Sequence, residues 1–220
     1  MRPLINKALS RPLAALLILL VATGGASSFE AAVLDELNAM HADPGDYSES
    51  LLDYRDRFDG LIVYGEDGES DFQTREGVRP VDEAVAALRR ADPLPRLREG
   101  RLLALAAADH VAAQSRSGEV GHYSRGRDPA ARLVARGGGR YVSEVITYGH
   151  SDPESVIRQL LVDDGVPGRG HRFELFSARY RYAGVACGRH PRWRSMCVIE
   201  LSETPDGSAP PPPRRDRAAP

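Results

Sequence analysis

The placement of the two cysteines, Cys187 and Cys197, limits the fold more than any other feature of the sequence. They stand ten residues apart within two runs of strand-forming residues, Tyr182 to Gly188 and Met196 to Ser202, with the turn-rich stretch Arg189 to Ser195 between them. A hairpin whose turn centres on Arg192 sets the sulfurs opposite one another, and in an oxidising compartment a disulfide follows. The other use of two thiols, a metal pair, lacks the CxxC spacing of a zinc site.

The N-terminus points to such a compartment. Arg2, Lys7 and Arg11 precede the apolar run Leu13 to Ala22, and the small residues Gly24, Gly25 and Ala26 follow, so residues 1–26 are expected to be a secretory signal peptide. Ten apolar residues are too few for a span, which takes about 20. The alternative is an uncleaved N-terminal anchor. Removing three cations and no acid takes the formal net charge from −2 to −5, which gives no electrostatic pull toward nucleic acid. Lys7 is the only lysine, so Schiff-base chemistry and a lysine-bearing phosphate loop are excluded downstream of the signal.

Between these ends the periodicity is mainly helical. Val33, Leu34, Leu37 and Met40 form one stripe. Asp43-Pro44 restarts the chain with an N-cap and a proline at the first helical position, and Tyr47, Leu51, Tyr54 and Phe58 mark the next helix. The acidic, glycine-punctuated stretch from Gly60 to Gly77 reads as a loop or small hairpin. Val81, Val85 and Leu88 give a further helix, and Glu99 to Ser115, rich in alanine, the strongest one. Short helices are expected over Pro129 to Arg136 and, after the cap Asp152-Pro153, over Glu154 to Val162. Helices around a small antiparallel sheet make an α+β fold in α-β-α layers, one domain over residues 29–203. From Thr204, with Pro210 to Pro213 and then Arg214, Arg215 and Arg217, the chain reads as a disordered Pro/Arg-rich tail over 204–220.

One set of side chains carries chemistry. His122, Glu144, Asp163 or its neighbour Asp164, and His171 all fall at element ends or in loops, where a scaffold presents functional groups. Two imidazoles with one or two carboxylates suit zinc or another divalent cation, although no HExxH pair fixes two of them on one helix. Other residues have plainer readings: His110 as a packed helix residue, His41, His150 and His190 as solvated turn neighbours, Arg172 as a loop-holding partner of an acid. Tyr123, Tyr148 and Phe173 are read as core or as the lining of a ligand groove.

The run Leu160-Leu161-Val162-Asp163-Asp164-Gly165-Val166-Pro167-Gly168-Arg169-Gly170-His171-Arg172 resembles the bacterial SCP-like extracellular branch of the CAP superfamily of cysteine-rich secretory and pathogenesis-related proteins. Leu37-Asn38, Asp43-Pro44, Gly121-His122, Tyr182-Ala183-Gly184-Val185-Ala186 and Met196-Cys197-Val198-Ile199 extend the resemblance in family order. It implies a CAP-type α-β-α sandwich whose cleft gathers His122, Glu144, Asp163 and His171 as a metal-binding set. The sequence departs from the family pattern at Ser143, Val145 and Glu174. The implied function is an exported binding protein for a divalent cation and a lipid-like or cell-envelope ligand. The alternative is a peptide hydrolase, metal-dependent or using Ser124 or Ser143 as nucleophile, although no Gly-x-Ser-x-Gly elbow is present.

Overall fold

In the computed structural model, residues 28–65, 70–210 and 212 are described; the signal peptide expected at 1–26 and residues 211 and 213–220 of the tail expected over 204–220 lie outside them. The start of that tail is held in the fold, with the Asp206 and Gly207 carbonyls accepting the amides of Gly139 and Tyr141 at 2.8 and 2.9 Å. Helices α1 (Ser28–Ala42) and α2 (Pro44–Arg55) open the fold. Asp43 accepts the backbone N–H of Asp46 at 2.9 Å and Pro44 occupies the first turn, as the Asp-Pro signal predicts. The glycine-rich stretch then forms a three-stranded antiparallel sheet from β1 (Phe58–Asp59), β2 (Ile62–Val63) and β3 (Phe72–Gln73), one strand more than a hairpin. Next come α3 (Arg79–Leu88), β4 (Arg98–Glu99), α4 (Arg101–Ser117), α5 (Pro129–Ala135) and β5 (Ser143–Tyr148). The order closes with α6 (Pro153–Val162), α7 (Gly170–Leu175), β6 (Tyr182–His190) and β7 (Arg194–Ser202).

The main sheet has the order β4-β6-β7-β5, antiparallel except that β4 runs parallel to β6. The hairpin of β6 and β7 is symmetric about Arg192: Cys187 faces Cys197 and forms the predicted disulfide. The sequence reading has only two strands here. β4 is two residues long, too short to show a period, and β5 is buried along its middle, so it lacks the polar alternation of a half-exposed strand.

Side chains alternate across the sheet and sort into two cores. On one face Ile146, Ala186 and Val198 pack against Ala107 and Val111 of α4. On the other, Val145, Val185, Ile199 and the cysteines join α1 and α6 through Leu37, Ile157, Leu160 and Leu161. This is the α-β-α sandwich. Small residues bring α4 close: a Cβ on Gly184 would overlap the backbone of Leu103 and Ala104.

Candidate functional site

The loop after α4 is shaped before His122 is reached. Gly121 has φ +92°, open to glycine without strain, and its peptide is pinned on both sides. Its N–H donates to Tyr148 Oη at 3.0 Å, and its carbonyl accepts from Gln114 Nε2 at 2.7 Å and His110 Nε2 at 2.9 Å. His110 is thus a buried structural residue, with its pKa lowered chiefly by burial.

His122 then lays its ring against β5. Its Nδ1 lies 2.9 Å from Glu144 Oε1 while its side chain keeps 47% of its surface, against 1% for Glu144. Glu144 is held from behind by Arg132 of α5, whose Nη2 binds Oε2. The same guanidinium donates through Nη1 to the carbonyl of His122 at 2.8 Å, so one arginine fixes both partners. Across the ladder Glu144 pairs with Glu200 of β7 on the α4 side of the sheet, and Glu200 Oε1 lies 3.4 Å from Arg132 Nη2. Burial, and then the charge of Glu144, push Glu200's pKa well above the ordinary carboxylate range.

The second imidazole is held the same way on the opposite layer. Asp163 ends α6 in the left-handed region, φ 57° and ψ 42°, where a short polar side chain is tolerated. Its carboxylate accepts from His171 Nδ1 at 2.7 Å through Oδ1 and from the His171 backbone N–H at 2.9 Å through Oδ2. The His171 side chain remains 25% exposed. Asp164 faces elsewhere, accepting the amides of Arg75 and Glu76 at 2.7 and 2.9 Å, so the helix-end acid beside the imidazole is Asp163. Arg172 is buried and donates to the carbonyls of Leu161, Val162 and Pro80, tying α7 to the end of α6, and its Nη1 lies 4.0 Å from Glu83 Oε2, the acid partner the sequence reading expects.

The four predicted residues form two His–acid pairs, His122 with Glu144 beside α4 and α5 and His171 with Asp163 at α6 and α7. Among the described residues, no group of three or more His, Cys, Asp or Glu side chains stands close enough to hold one metal ion. All four acid oxygens already accept hydrogen bonds. A cage using both carboxylates as direct ligands does not fit this arrangement. The imidazoles do fit as donors: among the described residues neither Nε2 has a hydrogen-bond partner, and an Nδ1–H directed at a carboxylate leaves Nε2 its lone pair.

Several sequence expectations need correction. His41 and His190 are buried: His41 Nε2 meets Leu175 O at 2.8 Å, and His190 packs edge-on to Tyr148. A turn beside a residue does not expose it when another element covers the turn. His150 is half-buried, and burial takes its pKa down to about 4. Tyr123 and Phe173 are exposed and so belong to no core. Ser124 is buried with Oγ 2.8 Å from Nδ1 of His110, not His122, which removes it from the exposed imidazole it would need as a nucleophile. Arg132 and Glu200 were missed. Glu200 has a visible signal, a lone acid in the otherwise apolar run 196–201; Arg132 has none beyond its place in a short helix.

A family model described as the cysteine-rich secretory protein family, CAP, matches residues 83–201, a span that includes both His–acid pairs. No curated protein matches the chain. Among solved structures, an outer surface protein of Borrelia burgdorferi matches with 15% identity and a TM-score of 0.42, over 50% of this chain and 79% of that one. An extracellular protein containing an SCP domain from Bacillus anthracis matches with 18% identity and a TM-score of 0.43, over 58% of this chain and 38% of that one. No helix among the described residues is long and apolar enough to cross a membrane. With more than half of its 220 residues matched, over α4, the main sheet and both His–acid pairs, the chain belongs to the CAP family of cysteine-rich secretory proteins.

Proposed function

We propose that this is an exported CAP-domain binding protein that takes up a divalent cation, zinc or a similar ion, through Nε2 of His122 and of His171, for display to a cell-envelope ligand. The observation that carries the reading is the repeated carboxylate–imidazole pair, in which a buried acid fixes the ring through Nδ1 and leaves Nε2 toward solvent. This is how ligand histidines are oriented in metal sites, with the acid setting tautomer and basicity instead of coordinating. A bound cation supplies a positive centre for an anionic or carbonyl oxygen, and water or the ligand completes its coordination. Glu144 and Asp163 hold the protons on Nδ1, and Arg132 holds Glu144 in place. Export is supported by the sequence of residues 1–26 and by the disulfide.

Calorimetric titration of the chain from Ser27 onward with zinc tests this. One ion per chain is expected, with affinity lost in either His122→Ala or His171→Ala. No heat with any divalent ion would overturn the proposal, and two independent weak sites, each lost with one histidine, would overturn the shared ion.

A further inference from the structure

On the surface beside His122, the tip of the β6–β7 hairpin meets the loop between α4 and α5. The two are clamped by buried His190, whose Nε2 donates to Glu119 O at 3.0 Å and whose Nδ1 accepts the amides of Arg192 and Trp193, each at 3.3 Å. A depression of about 490 Å³ lies between them, with Val120, Tyr123, Arg125 and Arg192 in its lining and Glu119 as its one acid. Val120, Tyr123 and Trp193 are large apolar or aromatic groups left between 48% and 67% exposed. Arg125, Arg192 and Arg194 are exposed and make no salt bridge among the described residues, so their charge is available to a partner. Three exposed guanidinium groups thus stand beside the only tryptophan of a chain of net negative charge, with Glu119 as the one acid lining the depression.

We infer that this face docks on an anionic lipid surface, with Trp193 and Tyr123 at the level of the headgroups and the three arginines against the anionic lipids. Aromatic rings with a polar edge favour the membrane interface, and cationic side chains beside them are drawn by the surface charge of the leaflet. The charge complementarity favours an anionic partner. The protruding apolar side chains favour a partner they can enter over a soluble polymer. The clamp at His190 sets both loops before contact, so little ordering is needed on binding. This surface does not involve Nε2 of His122 or His171, so it stands apart from the cation reading.

The chain from Ser27 onward, which holds every element of the described fold, would be mixed with vesicles of phosphatidylcholine alone or with phosphatidylglycerol added. Sedimentation gives the bound fraction, and the emission of the single tryptophan reports directly on position 193. Binding only to the anionic vesicles is expected, with a blue shift of the emission. Arg125→Gln with Arg192→Gln should lower the partition coefficient on the order of 25-fold, about five-fold for each arginine at the surface. Tyr123→Ser should weaken binding while keeping its preference for anionic lipid. Equal binding to both vesicles, or none, would overturn the inference. So would tight binding of a soluble polyanion such as heparin without a blue shift on vesicles, which would mark the face as a polymer site.

Discussion

Replacing Arg132 by methionine should be among the most damaging single changes in the chain, and the reason is the charge it leaves behind. The Arg132 side chain is almost wholly covered, as are those of Glu144 and Glu200. Burial pushes Glu200's pKa up and disfavours its charged form, while Arg132 is the buried ion-pair partner of Glu144. Without it, a buried carboxylate keeps one hydrogen bond from His122 and loses its ion pair. Breaking a buried pair by removing one partner typically costs about 3–5 kcal/mol, against a total stability of roughly 5–15 kcal/mol for a domain. Methionine approximates the arginine stem, so lost packing accounts for little of the change. Adding Glu144→Gln removes the stranded charge and should restore half or more of the loss. Urea unfolding followed by circular dichroism gives the three free energies, provided the denaturant slope is unchanged. If Arg132→Met lies within about 1 kcal/mol of the parent, the three groups do not act as a coupled buried network. If the double variant is no better than the single one, the loss belongs to packing or to the freed His122 carbonyl.

Burial holds the imidazoles of His41, His110 and His150 below their usual range, His150 at about 4, so the folded chain binds fewer protons than the unfolded chain once the pH drops below about 6.5. Stability should therefore fall as pH falls from there toward 4; His150→Gln should flatten that limb, and an unchanged profile would discount the histidine. Glu200 works with the opposite sign: its raised pKa favours the fold at low pH and withdraws that support as pH rises through the folded value, so Glu200→Gln should make the fold relatively more stable toward alkaline pH in the same titration. Replacing both cysteines by alanine should lower stability by up to roughly 2–3 kcal/mol, the chain-entropy value for a loop of this length, and an unchanged urea midpoint would show that the ladder alone closes the hairpin. Gly184→Ala should lose at least about 1–3 kcal/mol, because the added methyl meets the backbone of α4 and not a side chain that can turn away; a neutral result in thermal melting would show that α4 can shift. Asp163→Asn should weaken zinc binding roughly 10- to 100-fold while His171 remains, and equal affinity by calorimetry would separate the acid from the site.

What could be read from the sequence was whatever is local. Asp43-Pro44 and Asp152-Pro153 place their caps within one turn of the helices they start, and both are as expected. The cysteines sit symmetrically about Arg192, so a single assumption about the turn gives their pairing. The pairing of His171 with Asp163 instead of Asp164 depends on one residue's left-handed backbone, which spacing does not encode. Arg132, Glu144 and Glu200 come from three elements and meet only because β5 and β7 lie side by side and α5, packed on α4, extends Arg132 to both acids; Arg132 and Glu144 look like surface residues until the sheet is assembled. The burial of His41 and His190 has the same origin, since the groups that receive them, Leu175 and Glu119, lie far away in the chain.

The alternation along β7 has a consequence for how the hairpin finds its alignment. Cys197, Ile199 and Leu201 point to the aliphatic side, Val198 and Glu200 to the side of α4. Sliding the strand by one position would exchange these sets, dropping a carboxyl group among leucines and pulling the two sulfurs out of reach of each other. Misaligned chains would then be rejected twice, by the cost of desolvating an acid with no arginine to meet it and by failure to oxidise. Thiol oxidation thus reports the alignment of the two strands, because the sulfurs meet only in the register that also turns Glu200 toward α4.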